Sequence, residues 1–193
     1  MKRFVTIVFT LLSLHLAANA QKGLAIGQQA PLFSGTDQNG KTIDLKKVLK
    51  SKKTVVLFFY RGQWCPYCNK HIKELQDSLQ LLTEKNAYVI GVTPETKENI
   101  NATIKKTNAA FSMIQDSDDS ILKAYGVNFR MDDDTFAKYK TYGVDLEANN
   151  GNVRHTLPVP ATYIIEPSGK IKFVHFDSNY QKRASVKTLL AEL

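Results

Sequence analysis

The chain has 193 residues and a formal net charge of +8 at pH 7. Its basic side chains are scattered and interleaved with acidic ones, so we expect a solvated surface and exclude a nucleic-acid-binding patch. The length suffices for one domain with a full hydrophobic core, and no repeat, low-complexity tract or linker interrupts the sequence.

The first 20 residues follow the pattern of a secretory signal peptide. A short basic head precedes an apolar run over residues 4–18, and residues 18–20 form a small-x-small cleavage sequence. We expect cleavage before Gln21, which removes two basic residues and no acid and so lowers the net charge from +8 to +6. An uncleaved membrane anchor is the alternative, but the run is shorter than the roughly 18 to 20 residues that a spanning helix needs. Residues 21–193 are therefore predicted to be a single domain, exported to the periplasm or the extracellular space, with no membrane span left after cleavage.

Residues 24–50 predict a β-hairpin followed by a short helix. Residues 37–40, with the sequence Asp-Gln-Asn-Gly, favour a turn between two short extended runs. The carboxylate of Asp44 is placed to cap a helix over residues 45–49.

The next stretch holds the two cysteines of the chain. Residues 53–60 are β-branched and aromatic, which predicts a buried strand. Beyond the cysteines, apolar residues recur at intervals of three or four, which predicts a helix with one buried face. These residues are Ile72, Leu75, Leu79 and Leu82. Cys65 and Cys68 therefore lie at C-x-x-C spacing, at the point where the helix begins.

This position gives the two thiols different chemistry. Cys65 is expected at the helix tip, where free backbone N–H groups and the positive end of the helix dipole stabilise a thiolate. Cys68 lies one turn deeper on the apolar stripe, where it is shielded. Because the thiolate is the nucleophile, we predict that Cys65 is the attacking sulfur and Cys68 the resolving one.

Two other uses of the cysteines compete with a redox pair. A structural disulfide at this spacing closes a very short loop and restrains the unfolded chain little. A zinc site would take His71 as a third ligand, at C-x-x-C-x-x-H spacing, but it would need a fourth ligand from a distant part of the chain. We therefore favour a redox pair, for which no metal or cofactor is expected.

Two basic side chains near the cysteines are further candidates. His71 is predicted one helical turn beyond Cys68 on the same face, where an imidazole that titrates near neutrality would carry protons to the thiol. The alternative for His71 is a partly exposed histidine on the helix surface. Arg61 precedes the cysteines and is a candidate electrostatic residue.

The rest of the chain alternates between strands and helices. Strands are predicted over residues 87–92, 111–114, 161–165 and 170–175. Helices are predicted over residues 95–106 with Thr93 as the capping hydroxyl, from residue 116 to Gly126, and over residues 181–193.

Residues 127–157 interrupt this alternation as an insertion, and residues 142–153 within it are expected to be irregular because they are rich in Gly and Asn. The acidic triple at residues 132–134 is interpreted as the solvated start of a short helix, with a cation site as the alternative. Alternating buried strands and helices imply a central sheet covered on both faces. With C-x-x-C after the first main strand, the sequence predicts an α/β, thioredoxin-like fold, in which a mixed central sheet is flanked by helices. The hairpin is an N-terminal extension of that fold.

Several stretches resemble known thiol enzymes. Residues 64–68, Trp-Cys-Pro-Tyr-Cys, resemble the thioredoxin motif, and the Pro-Tyr pair is the one that glutaredoxins place between their cysteines. Residues 159–162 resemble the cis-proline loop that faces the thiols in thioredoxins. Four stretches resemble the peroxiredoxin pattern of the AhpC/TSA family, namely residues 27–33, 58–60, 115–118 and 125–127. Residues 157–165 are similar to members of that family often labelled peroxiredoxin-like. The resemblance covers nearly all of residues 24–193.

The thioredoxin resemblance implies a cis peptide bond before Pro160, in a loop that faces the cysteine pair. It also implies that Trp64, Val159 and Pro160 position the substrate. Backbone exposed by such a loop would pair with an extended substrate chain.

The peroxiredoxin resemblance implies a different assignment of the sulfurs. In that alignment Cys68 falls on the peroxide-attacking cysteine, Arg61 replaces the proline of the motif, and Cys65 replaces its threonine. Pro160 falls near the position of an arginine that normally binds and polarises the peroxide.

The resemblance implies a thiol-based redox enzyme and leaves two activities open. The first is thiol–disulfide exchange by the C-x-x-C pair with a protein partner or a small disulfide in the cell envelope. The second is thioredoxin-dependent reduction of hydrogen peroxide or organic hydroperoxides. Both would use an external reductant such as a thioredoxin-like protein. A binding or structural protein with a static disulfide is disfavoured, because such a bond does not need a helix tip.

Overall fold

A five-stranded mixed sheet lies at the centre of the computed structural model, which describes residues 23–193. The predicted signal peptide lies outside the described residues. The strands of the described part are β1 (Ser34–Thr36), β2 (Thr42–Asp44), β3 (Thr54–Phe59), β4 (Ala87–Thr93), β5 (Ser112–Gln115), β6 (Asn128–Arg130), β7 (Thr156–Pro158), β8 (Ala161–Ile165) and β9 (Ile171–Phe176). Its helices are α1 (Leu45–Lys50), α2 (Pro66–Asp77), α3 (Leu79–Glu84), α4 (Lys97–Thr107), α5 (Ser120–Ala124), α6 (Asp133–Thr141), α7 (Leu146–Asn150) and α8 (Val186–Glu192).

The central sheet has the strand order β5-β4-β3-β8-β9. β3, β4 and β5 are parallel to one another, whereas β8 pairs antiparallel with both β3 and β9. Helices connect the parallel strands, and a hairpin forms the other side of the sheet. The predicted α/β fold with a mixed central sheet is therefore confirmed.

β3 lies in the middle of the sheet because its side chains are buried on both faces. Val55, Leu57 and Phe59 pack with the N-terminal hairpin, α1 and α5. Val56 and Phe58 point the other way and pack with α2, α3, α4 and α8. A continuous apolar run suits a strand whose two faces are both covered.

The segments that carry the candidate residues meet at one edge of this sheet. β3 and β4 are parallel, so residues 60–68 after β3 and residues 94–96 after β4 leave the sheet side by side. β8 is antiparallel to β3 and begins at the same edge, directly after Val159 and Pro160. β9 ends there as well, and residues 177–185 lead from it to α8. The carboxyl ends of strands are the usual place for sites in α/β folds.

The predicted hairpin and its helix are confirmed. β1 and β2 pair antiparallel around a turn in which the Asp37 carboxylate accepts hydrogen bonds from the N–H groups of Asn39 and Lys41. Asp44 caps α1 by accepting a hydrogen bond from the N–H of Lys47 at 3.0 Å.

The helix after β4 begins later than predicted. Thr96 is its N-cap residue, with extended backbone angles and a hydroxyl that accepts from the N–H of Asn99. Glu95, which was expected in the first helical turn, stands before the helix and is fully buried.

The closing helix is shorter than predicted. α8 starts only after Ser185, whose hydroxyl accepts a hydrogen bond from the N–H of Thr188 at 3.0 Å. The residues before it form a loop that carries Arg183 toward the cysteines. No helix within residues 23–193 has both the length and the apolar character required to cross a membrane.

The insertion is more regular than expected. α6 begins after Asp132, whose carboxylate accepts from the N–H of Thr135 at 2.8 Å, so the acidic triple starts a helix as predicted. α7 forms in the stretch that was expected to be irregular, and β6 pairs antiparallel with β7. Trp64 packs against the small core of this segment. The buried members of that core are Met131, Leu146 and Leu157.

We predict that Phe58→Ala lowers the free energy of unfolding by about 3–5 kcal/mol, because it opens a cavity beneath the cysteine helix. Phe58 is fully buried, and its ring packs edge-on against His71 and Phe111. Urea denaturation of the reduced protein measures the change. The control is Tyr142→Ala, which removes a ring that is 71% exposed and should change stability by less than about 0.5 kcal/mol. Equal losses in both variants would contradict this placement of Phe58.

Candidate active site

Both cysteines lie at the start of α2, as predicted. Cys65 is the N-cap residue, Pro66 occupies the first helical turn, and Cys68 follows in the same turn. Both thiols are free, and each cysteine is only 1% exposed. The shielding expected for Cys68 therefore extends to Cys65 as well.

Two N–H donors point at the sulfur of Cys68. The backbone N–H of Arg61 and the Nη2 of Arg183 each donate a hydrogen bond to it at 3.4 Å. Burial alone would raise the pKa of Cys68, but the hydrogen bond with Cys65 and the charge and hydrogen bond of Arg183, together with the Arg61 amide, lower it to about 6. The two N–H donors therefore favour the ionised form of Cys68.

Cys65 is held in the opposite protonation state. Its side chain is hydrogen bonded to Cys68, and this bond, followed by burial, raises the pKa of the Cys65 thiol. Sequence reasoning had assigned the reactive thiolate to Cys65 from the helix dipole alone. The structure favours Cys68 instead, because the hydrogen bond with Cys65 and a full positive charge at hydrogen-bond distance together outweigh the partial charge of a helix terminus. That charge belongs to Arg183, which lies 115 residues further along the chain.

The side chain of Arg61 is buried among aromatic rings. Only 3% of the residue is exposed, and the guanidinium carbon lies 5.2 Å from the ring centroid of Trp64, 5.6 Å from that of Tyr139 and 4.6 Å from that of Tyr180. Its Nη2 also donates to the Tyr139 hydroxyl at 2.9 Å. These cation–π contacts join the cysteine loop to the insertion and to the loop before α8. Arg61 thus acts on Cys68 through its backbone, while its side chain holds three segments together.

Trp64 is half-buried between the cysteine loop and the insertion. Its ring meets that of Tyr139 edge-on, with the centroids 5.7 Å apart. The Nε1 atom of Trp64 is buried and has no hydrogen-bond partner among residues 23–193.

Val159 and Pro160 lie at the same edge of the sheet as the cysteine loop, and both are buried. No peptide bond within residues 23–193 is cis, so the predicted cis bond before Pro160 is wrong. The N–H of Val159 donates to the carbonyl of Val127 at 2.7 Å, which extends the pairing of β6 with β7. The backbone of this loop is therefore engaged within the protein, and the argument that it pairs with a substrate chain is lost.

The interpretation of His71 as a helix-surface residue is wrong, and its burial disfavours the proton-carrying role. The residue is 3% exposed, and its ring packs edge-on against Phe58, with the centroids 5.6 Å apart. Burial, reinforced by the positive charge of Arg183, lowers the pKa of His71 to about 3. The imidazole is therefore neutral wherever the thiols titrate, and it is no part of the helix surface. A residue three positions after Cys68 faces the same core as that cysteine.

Glu95 is a site residue that sequence reasoning missed. It is fully buried at the carboxyl end of β4, and its Oε2 accepts a hydrogen bond from the N–H of Gln63 at 2.8 Å. Burial raises the pKa of Glu95 to about 8. The Gln63 hydrogen bond and the charge of Lys106 oppose this rise, and the Cys68 charge adds to it. One signal was available in the sequence, since a parallel strand next to β3 must end beside the cysteine loop.

Nothing in the sequence pointed to Arg183 as a site residue, because it follows Lys182 in a stretch that looks like ordinary basic surface.

Within the described part of the chain, no group of three His, Cys, Asp or Glu side chains is arranged to hold a metal ion.

Comparison with known sequences identifies a family. A sequence model of the AhpC/TSA family matches residues 26–174. The chain is 28% identical to the chloroplastic peroxiredoxin Q of Populus jackii over 149 residues, which are 77% of this chain and 59% of that protein. It is 29% identical to the peroxiredoxin Bcp of Bacillus subtilis over 104 residues, which are 54% of this chain and 65% of that protein. The chain thus spans about three fifths of the length of the curated relatives that it matches.

Solved structures share the fold. The peroxidoxin BcpB of Mycobacterium tuberculosis is similar with a TM-score of 0.67 and 18% identity, over 86% of this chain and 94% of that one. The reduced 2-Cys peroxiredoxin of Plasmodium vivax is similar with a TM-score of 0.63 and 21% identity, over 86% of this chain and 92% of that one.

We predict that Arg183→Gln raises the pKa of Cys68 by about 1 to 2 units, since a hydrogen bond to a charged group contributes about 1.5–3 kcal/mol. The ultraviolet absorbance of the thiolate, followed against pH in a Cys65→Ser background, measures this shift. Lys182→Gln is the matched control, because it removes the same charge from the neighbouring residue, whose side chain is exposed and paired with Asp177. Superimposable titrations of Arg183→Gln and its parent would show that Arg183 does not stabilise the thiolate.

Proposed function

The chain belongs to the AhpC/TSA family, and from this premise we propose that it is a thiol-dependent oxidoreductase that reduces hydroperoxides. Cys68 is the attacking sulfur in this proposal, and Cys65 is the resolving one. The observation that carries the proposal is the buried Cys68 sulfur, which accepts hydrogen bonds from the Nη2 of Arg183 and the N–H of Arg61, donors that lower its pKa and favour the thiolate.

The chemistry follows from the protonation states of the two sulfurs. The Cys68 thiolate attacks one oxygen of the hydroperoxide, an S–O bond forms, the O–O bond breaks, and the other oxygen leaves as water or an alcohol after taking a proton. The Cys65 thiol then attacks the resulting sulfenic acid, a disulfide forms, and water leaves. Because both sulfurs lie in one helical turn, we expect the disulfide to close without a large movement of the chain.

Arg183 is suited to bind the peroxide. Its Nη2 donates to the Cys68 sulfur, and its Nη1 donates to the carbonyl oxygens of Tyr180 and Lys182, which fixes the guanidinium. The Nε of Arg183 is buried and has no hydrogen-bond partner among residues 23–193, so its N–H is a donor available to a peroxide oxygen. We propose that Arg183 supplies the guanidinium that the peroxiredoxin alignment lacks at Pro160.

Thiol–disulfide exchange in the cell envelope is the second candidate, and the C-x-x-C spacing favours it. A substrate disulfide would have to reach sulfurs that are 1% exposed, which suits a small disulfide better than a folded protein. In both candidates a disulfide between Cys65 and Cys68 is the oxidised state. An external reductant such as a thioredoxin-like protein would return it to the thiol form.

We predict that Cys68→Ser lowers kcat/KM for hydroperoxide by more than about a thousandfold, because it removes the nucleophile. Cys65→Ser should reduce one equivalent of peroxide and stop, with the sulfenic acid of Cys68 trapped by dimedone and located by mass spectrometry. The reduced, tag-free protein is exposed in parallel to peroxide and to a small mixed disulfide. A dimedone adduct on Cys65 would reverse the roles, and reaction with the disulfide alone would replace peroxide reduction with disulfide exchange.

We also propose that the protein is exported and loses residues 1–20. Expression of the complete chain in a bacterial host should give an envelope protein whose N-terminal residue is Gln21, determined by mass spectrometry. Replacement of the small residue at the cleavage site, Ala20→Arg, should block this processing. An intact chain recovered from the cytoplasm would contradict export.

A further inference from the structure

Glu95 is a fully buried acid to which the peroxide scheme gives no role. Glu95 is hydrogen bonded to the loop of residues 61–63, which also contacts the Cys68 sulfur. The N–H of Arg61 donates to the Cys68 sulfur, and two residues later the N–H of Gln63 donates to the Oε2 of Glu95. One short stretch of backbone is therefore hydrogen bonded to the sulfur at one end and to the carboxyl group at the other.

The second oxygen of Glu95 faces Gly62 and the indole of Trp64. A Cβ placed on Gly62 would overlap with the Oε1 of Glu95 and stand 2.6 Å from the Nε1 of Trp64. Both of these polar atoms are buried, and neither has a hydrogen-bond partner among residues 23–193. Glycine at position 62 thus leaves a space into which an unpaired carboxyl oxygen and an unpaired N–H donor both point.

Three other ionisable groups bear on the Glu95 carboxyl. Cys68 faces it from α2, Tyr60 from the end of β3, and Lys106 from α4. The Cys68 thiolate disfavours a second negative charge on Glu95, and Lys106 favours it. Burial raises the pKa of Tyr60, so its phenol remains protonated. Among these groups, the Cys68 sulfur and the Glu95 carboxyl are the two sites that a negative charge can occupy.

We propose that Cys68 and Glu95 share a single negative charge, which resides on the sulfur in the reduced protein and moves to the carboxylate when the disulfide forms. This inference rests on the proposed function for its oxidant, a hydroperoxide. The Cys68 thiolate, the Cys65 thiol, the protonated Glu95 and the hydroperoxide ROOH become the disulfide, the Glu95 carboxylate, ROH and water. Two electrons pass from the sulfurs to the O–O bond, the proton of Glu95 goes to the alkoxide that leaves in the first step and gives ROH, and the proton of the Cys65 thiol goes to the water released when the disulfide forms.

This transfer keeps the charge of the buried site constant. Burial is the main cause of the raised pKa of Glu95, and the negative charge of the Cys68 sulfur adds to it; disulfide formation removes this second contribution and leaves the N–H of Gln63 and the charge of Lys106 to favour the carboxylate. The N–H of Trp64 then becomes a donor for the new carboxylate. Because burying an additional charge is costly, a site that relocates one charge is oxidised and reduced more readily than one that must gain or lose it.

The proton count of reduction tests the proposal without peroxide. Titration in a dithiol redox buffer between about pH 6 and pH 8, the range between the pKa values of Cys68 and Glu95, gives the midpoint potential at each pH. Reduction of the wild-type protein takes up two protons, one on Cys65 and one on Glu95. Reduction of Glu95→Gln takes up only one. The slope of the potential against pH should therefore be half as steep in the variant.

Asp116→Asn is the matched control. Asp116 is 2% exposed, burial also raises its pKa, and its carboxylate accepts hydrogen bonds from the N–H groups of Ile121 and Leu122, with no cysteine among its neighbours. Its variant should keep the wild-type slope. An unchanged slope in Glu95→Gln would overturn the shared charge.

A second measurement needs no variant and so remains decisive if Glu95→Gln fails to fold. In infrared difference spectra of the wild-type protein at pH 7, the C=O band of a protonated carboxyl should be present in the reduced state and weaken on oxidation. A band that is identical in both states would also overturn the proposal. A third result separates the two proposals. If the wild-type protein does not turn over peroxide but the slope is halved in Glu95→Gln, the peroxidase function is wrong and the shared charge stands.

Discussion

The stabilisation of a negative sulfur inside a hydrophobic core is the interaction on which the site depends. Cys68 is 1% exposed and lies among apolar side chains, where an unpaired charge would cost several kcal/mol. Two N–H donors and one positive charge offset this cost. They come from the loop after β3 and the loop after β9, which approach each other only because both strands end at the same edge of the sheet. The sheet topology is therefore a requirement of the chemistry.

The Arg61 side chain makes this arrangement rigid. Its guanidinium lies among the rings of Trp64, Tyr139 and Tyr180, which belong to the cysteine loop, the insertion and the loop before α8. If any of these segments moved, the buried guanidinium would lose its contacts with the aromatic rings. The backbone N–H of Arg61, in the same cysteine loop, donates to the Cys68 sulfur. By holding the Arg61 side chain through Tyr139, the insertion therefore helps to position the donor of that hydrogen bond. The insertion is thus part of the active-site scaffold, and its short helices are ordered by that contact and by their own small core.

Local sequence patterns predicted the elements, and long-range contacts decided the site. β3, the position of the cysteines at the start of α2, and the caps Asp44 and Asp132 depend on neighbouring residues, so the sequence was sufficient for them. The reactive sulfur depends on Arg183, which is distant in sequence and unremarkable in its local context. The cis bond expected before Pro160 came from resemblance alone, and the pairing of β6 with β7 already uses the backbone beside it. The burial of His71 and Glu95 could not be predicted from the sequence, because it depends on how distant segments pack together.

The departures from the peroxiredoxin pattern meet the same physical demands with other residues. A side-chain donor to the reactive sulfur is needed where that pattern has a threonine, and here Cys65 forms the hydrogen bond. A guanidinium is needed where the pattern has an arginine, and Arg183 brings one from the opposite end of the chain. The exchange of threonine for cysteine has a further consequence, because a thiol in that position is able both to stabilise the thiolate and to resolve its sulfenic acid. A hydroxyl could do only the first, so in the proposed function this single substitution places the entire thiol cycle within one helical turn.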